Sequence, residues 1–137
     1  MLCERRRLTV EWGQCDPAGI VFYPQYFHWF DASTAHLFGA AGLPPHTMFA
    51  ERGIVGTPLV DVRAKFLAPS RFGDALDLEC TISEWRRSSF VVEHRIFNGG
   101  LLAVEGAETR VWAVRNPDQP GRIKAVSIPP DVIARFA

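Results

Sequence analysis

Several stretches of the chain alternate apolar and polar residues with a period of two, the mark of strands with one covered face. In residues 75–85, Leu76, Leu78, Cys80 and Ile82 oppose Asp77, Glu79, Thr81 and Ser83. In 89–97, Phe90, Val92, His94 and Ile96 share one side. In 58–67, the phase puts Val60, Val62, Ala64 and Phe66 inward and Asp61, Arg63 and Lys65 outward. Residues 5–12 read as a first strand, with Leu8, Val10 and Trp12 on one face. Residues 101–114 read as a long last strand, 123–128 as a short edge strand, and 130–136 as one helical turn. Turn chemistry separates these runs: Pro69 to Asp74, Arg86-Arg87-Ser88, the hairpin signal Asn98-Gly99-Gly100, and a loop with Pro117, Pro120 and Gly121.

A second period, near 3.6, covers residues 24–41. Phe27, Phe30, Thr34, Leu37, Phe38 and Ala41 fall on one face, and Tyr26, Trp29, Ala32 and Ala40 make much of the rest apolar. A helix apolar nearly all round is expected to be buried. Pro24 suits its first turn, and Gly42 before Pro44-Pro45 stops it. Asp31 sits at the flank of the aromatic face, where a carboxylate needs a partner or a job. Residues 46–53 read as a short helical turn or lid. One strand, one buried helix and at least four antiparallel strands make an α+β pattern over a single domain, 1–137. Such a sheet leaves an edge or a helix side uncovered, and a two-fold homodimer is the simplest cover.

Composition narrows the classes. Fifteen basic and fifteen acidic residues cancel, which argues against nucleic-acid or membrane-surface binding by bulk charge. No apolar run approaches a membrane span, and Met1-Leu2-Cys3 runs straight into Glu4-Arg5-Arg6-Arg7, unlike a signal peptide. Three cysteines with no paired spacing suggest reduced thiols and a cytoplasmic setting. The four histidines show no metal-ligand spacing, and there is no Gly-x-Ser-x-Gly elbow, so neither a metal site nor a serine hydrolase is expected. Cys15 lacks a clear His partner and reads as structural.

The chemistry gathers at Cys15-Asp16-Pro17-Ala18-Gly19-Ile20-Val21-Phe22-Tyr23, an acidic residue on a Pro/Gly loop that opens the long helix. Asp before Pro is by itself a common turn element. A helix start, however, aims free backbone N–H groups outward, and a carboxylate beside them can act on a carbonyl whose oxygen they hold. This stretch resembles the active-site segment of the hot-dog-fold acyl-CoA thioesterases, in the Asp-Pro-Ala-Gly-Ile-Val form of the 4-hydroxybenzoyl-CoA thioesterase family. The likeness extends to Gly42-Leu43-Pro44-Pro45, to Gly53-Ile54-Val55-Gly56-Thr57-Pro58 and to Glu84-Trp85-Arg86-Arg87-Ser88-Ser89-Phe90; after residue 100 it is one of strand pattern rather than motif.

The resemblance implies a hot-dog fold, a sheet of about five strands wrapped around one long helix, and a homodimer with its active site between subunits. Dimers pairing into a homotetramer are a further expectation. It implies Asp16 as the catalytic carboxylate, attacking the thioester or activating water, with the Tyr23 backbone N–H in the oxyanion hole. Thr57 and Asp31 would meet a hydroxyl on the acyl ring, and Arg86, Arg87 and Ser89 would hold the coenzyme A phosphates. Two departures stand out: Ser88 replaces the family's Lys after the Arg pair, and His46-Thr47-Met48-Phe49-Ala50 replaces a longer, more polar run. The expected activity is hydrolysis of an aryl-CoA thioester such as 4-hydroxybenzoyl-CoA, with no cofactor beyond the coenzyme A of the substrate. A broader short-chain or phenylacetyl-CoA thioesterase is the alternative within the class, and a non-catalytic acyl-CoA-binding module the alternative outside it.

Overall fold

The computed structural model describes all residues from Met1 to Ala137. Five antiparallel strands, β1 (Cys3–Thr9), β2 (Leu59–Phe66), β3 (Ala75–Trp85), β4 (Ser89–Asn98) and β5 (Leu101–Val111), form one sheet in the order β1-β3-β4-β5-β2. The helix α1 (Pro24–Ala40) lies against its inner face. A short helix α2 (Pro45–Arg52), a two-stranded ribbon of β6 (Ala113–Arg115) and β7 (Ile123–Ala125), and a last turn α3 (Pro130–Ala134) close one end. No helix is long and apolar enough to cross a membrane.

The aromatic residues of α1 divide the core. Tyr26, Trp29 and Phe30 pack with Leu76, Leu78, Ile96 and Val104, while Leu37 and Phe38 pack with Ile82, Phe90, Trp112 and Phe136. Each large side chain so buried contributes about 1.5–3 kcal/mol, which makes this seam the main source of stability. Contrary to the expectation from its composition, the helix is not buried all round. His28, Asp31, Ala35 and Gly39 form an exposed stripe at i, i+3/i+4 spacing.

The strands β3 and β4 follow the alternation, but three strand boundaries and the covered face of β2 differ from the pattern. The first strand ends at Thr9 rather than residue 12, because Glu11 and Gln14 cap each other around a 3₁₀ turn at Trp12–Gln14. Trp12 is therefore 74% exposed, edge-on to Phe72, and not on the core face. The last strand breaks at Trp112, since β4 begins at Ser89, the partner of Val111, and beyond it the chain must change partner. The Trp112 N–H donates to Ser88 O (2.8 Å) and its carbonyl accepts from Val126 N–H (2.9 Å). The expected strand over 123–128 shortens to Ile123–Ala125. In β2, Val62 and Ala64 do pack on the core, but Val60 and Phe66 stay 60% and 51% exposed. β2 lies at the sheet edge, and its register shifts between Leu59 and Asp61.

Candidate active site

The Asp16 loop is built by its own backbone. The Asp16 N–H donates to Ile20 O (2.9 Å), and Gly19 N–H donates back to Asp16 O (2.9 Å). Gly19 has φ +81°, a conformation that excludes most side chains. The Ala18 N–H donates to Asp16 Oδ1 (2.8 Å), which leaves Oδ2 without a partner in the chain. The Val21 N–H donates to Ser70 O (2.8 Å) and ties the loop to the segment after β2. Tyr23 follows as the residue that caps α1, with Pro24 in the first turn. Its N–H makes no intramolecular hydrogen bond.

Asp16 and Tyr23 line one cavity of about 380 Å³, together with Ile20, Tyr26, Phe66 and Pro69. Burial raises the Tyr26 phenol above its ordinary pKa, so it is uncharged there at neutral pH. An anionic oxygen, an unpaired N–H at a helix start and an apolar wall therefore converge. Such a site can hold a thioester carbonyl beside a nucleophile or base.

Asp31 and Thr57 meet in a second cavity of about 460 Å³, walled by Phe38, Phe49, Val55 and Pro58. Arg110 from β5 joins them. Its guanidinium donates to Asp31 Oδ1 (2.7 Å), to Thr57 O (3.0 Å) and to Glu108 Oε2 (2.6 Å). Glu108 is 1% exposed and accepts from Thr34 Oγ1 (2.5 Å) and His94 Nε2 (2.9 Å) at its other oxygen. Burial pushes its pKa up, but the hydrogen bonds from His94 and Arg110 and the arginine's charge outweigh this and hold it at about 2. The expected partly buried flank for Asp31 is not found: its side chain is 70% exposed, and Arg110 is its partner.

Arg86 and Arg87 lie on the β3–β4 turn and line neither cavity. Arg86 pairs with Glu84, and Arg87 donates to Ser127 Oγ (2.9 Å). The turn sits beside the Thr57 end of the sheet, because Ser89 pairs with Val111, whose N–H reaches Pro58 O. Asp16 lies at the other end. Phe66 borders its cavity and Leu59 adjoins Thr57, and the strand between them spans about 25 Å. One protomer thus brings Asp16 and Tyr23 together, and Asp31 and Thr57 together, but not the two pairs.

Glu108 and Arg110 are not among the site residues expected from the sequence. Their signal was the phase of β5, in which Val104, Gly106, Glu108, Arg110 and Trp112 alternate on one side. A carboxylate and a guanidinium two apart on a covered face form a ready-made pair. His94 is the satisfied core histidine its strand phase suggested. No group of three or more His, Cys, Asp or Glu side chains is placed to hold a metal.

Residues 10–136 match the family model of the thioesterase-like superfamily. The 4-hydroxybenzoyl-CoA thioesterase of Pseudomonas sp. (strain CBS-3) is 42% identical over 130 residues, 90% of each chain. A crystal structure of a mutant 4-hydroxybenzoyl-CoA thioesterase complexed with 4-hydroxybenzoyl-CoA superposes with a TM-score of 0.90, at 38% identity over 98% of this chain and 99% of that one. A gentisyl-coenzyme A thioesterase structure superposes at 0.85, with 31% identity over 98% and 100% of the two chains. The chain belongs to the thioesterase-like superfamily. It is a thioester hydrolase with the hot-dog fold.

Proposed function

We propose that this enzyme hydrolyses the coenzyme A thioester of a hydroxylated aromatic acid, with 4-hydroxybenzoyl-CoA as the type substrate. The observation that carries the reading is the second cavity: an aromatic-walled space with the carboxylate of Asp31 and Thr57 at its polar end. A ring fills the walls, and its hydroxyl donates to Asp31. An unsubstituted ring would leave that carboxylate without a ligand donor. The relatives named for 4-hydroxybenzoyl-CoA and gentisyl-CoA support the same class.

The working unit is a two-fold dimer. β2 is an edge strand with Leu59, Val60 and Phe66 exposed and Leu67 exposed just after it, and an edge that apolar calls for cover. Antiparallel pairing of β2 with its copy sets the Leu59 end of one protomer against the Phe66 end of the other. Asp16 and Tyr23 of one subunit then stand near Asp31 and Thr57 of its partner, and the divided site becomes whole. Further pairing of dimers into a tetramer is consistent with this arrangement.

In the reaction, the Tyr23 N–H receives the thioester oxygen as it gains charge. Asp16, through its free Oδ2, either attacks the carbonyl carbon or takes a proton from an attacking water. The C–S bond breaks and coenzyme A leaves as a thiolate that takes up a proton. On the first route this leaves a mixed anhydride with Asp16, which water hydrolyses to free the acid and the carboxylate; on the second the attacking water itself becomes the second oxygen of the product acid. Thiolate is a good leaving group, so no metal or strong acid is needed. Arg86, Arg87 and Ser89, exposed or half-buried on the turn at the Thr57 end, meet the nucleotide phosphates. Replacing Asp16 with Ala is expected to lower turnover of 4-hydroxybenzoyl-CoA at least ~100-fold, read as thiol release. Turnover near wild type in that variant contradicts the assignment.

A further inference from the structure

We propose that Arg110, held by Glu108, is the positioning residue that sets selectivity for the ring hydroxyl. The inference rests on the reading of Asp31 and Thr57 as the acyl-ring contacts and adds the device that aligns them. Three elements converge on this one guanidinium: α1 through Asp31 Oδ1, the loop before β2 through Thr57 O, and β5 through Glu108 Oε2. Asp31 has no other partner in the chain and is 70% exposed, so without Arg110 its carboxylate samples several rotamers. Arg110 is 8% exposed and cannot follow it.

The anchor is equally specific. Glu108 accepts at Oε1 from Thr34 and His94 and at Oε2 from Arg110, so the carboxylate is held on both sides. The His94 imidazole is stacked on Phe30, ring centroids 4.4 Å apart and planes 9° apart, which carries the rigidity into the core. The Nε of Arg110 is buried without a partner, so all of its hydrogen bonds run through the two outer nitrogens. The guanidinium is oriented by its two outer nitrogens, toward the cavity. Its charge also faces two carboxylates, Asp31 and Glu108. Glu108 offsets the cation, so Asp31 keeps acceptor strength for an incoming donor. The ligand chemistry this favours is an uncharged hydroxyl on the ring.

The test compares kcat/KM for 4-hydroxybenzoyl-CoA and benzoyl-CoA on each preparation. The ratio of the two is independent of the folded fraction, so a destabilised variant still reports. Arg110→Lys keeps the charge beside Glu108 but loses the planar fork. It is expected to lower the preference for the hydroxylated thioester about tenfold, mainly through KM. Asp31→Asn should lower it at least as far, and the double variant no further than Asp31→Asn alone, because Arg110 acts through Asp31. A wild-type preference that survives Arg110→Lys, or losses that add in the double variant, overturns the role of Arg110 alone. A wild type indifferent to the hydroxyl overturns the substrate reading and this inference with it.

Discussion

Phe30 lies directly on Gly106. A β-carbon at position 106 would stand 2.6 Å from Cε2 of Phe30 and 2.5 Å from the carbonyl oxygen of Arg63. Gly106 pairs with His94 on one side and Ala64 on the other, so the missing side chain is the seat of the helix on the sheet. The glycine is there for space and not for backbone freedom. Gly106→Ala is expected to destabilise the fold by ~1–3 kcal/mol through overpacking. Urea or thermal unfolding monitored by tryptophan fluorescence checks it; an unchanged midpoint shows that Phe30 has room to shift.

The buried carboxylate of Glu108 links stability to acid pH. Its folded pKa of about 2 lies below the ordinary value of 4.5. A depressed carboxylate contributes stability that is fully present above the unfolded pKa and lost as pH falls through the folded one. The loss therefore falls between about pH 4.5 and pH 2. Wild type should lose a few kcal/mol across that window, and Glu108→Gln, less stable at neutral pH, should show a flatter profile there. Parallel curves for the two proteins would remove Glu108 from the account.

The proposed division of the site between two subunits predicts complementation. Asp16→Ala and Asp31→Ala homodimers should each be weak on 4-hydroxybenzoyl-CoA. Unfolded and refolded together in equal amounts, half the dimers are mixed and carry one intact site of two. The mixture should then recover about a quarter of wild-type activity. Activity no greater than the average of the two parents would mean that each protomer works alone.

Much of this was legible in the sequence, and the exceptions have physical causes. β3 and β4 are central strands with one face on the helix, so period-two alternation reported them directly. The Asp16 loop and the helix start were visible through their Pro and Gly residues. Val60 and Phe66 were misread as covered because alternation gives the phase of a strand and not whether anything lies over it. Trp12 looked like one more inward residue, but mutual capping by Glu11 and Gln14 turned the chain first. Asp31 was seen as needing a partner, and the partner, Arg110, lies 79 residues away, beyond any local pattern. Glu108 and Arg110 were hidden because charged residues on a strand are usually read as solvent-facing.

The most direct measurement is thiol release by the purified wild-type enzyme from a panel of thioesters: 4-hydroxybenzoyl-, benzoyl-, phenylacetyl-, short-chain and long-chain acyl-CoA. The expected kcat/KM is highest for the hydroxylated ring, at least about tenfold above benzoyl-CoA. A flat profile or a preference for aliphatic chains would contradict the acyl-pocket reading of Asp31 and Thr57, and no thiol release from any of them would contradict the proposed reaction itself.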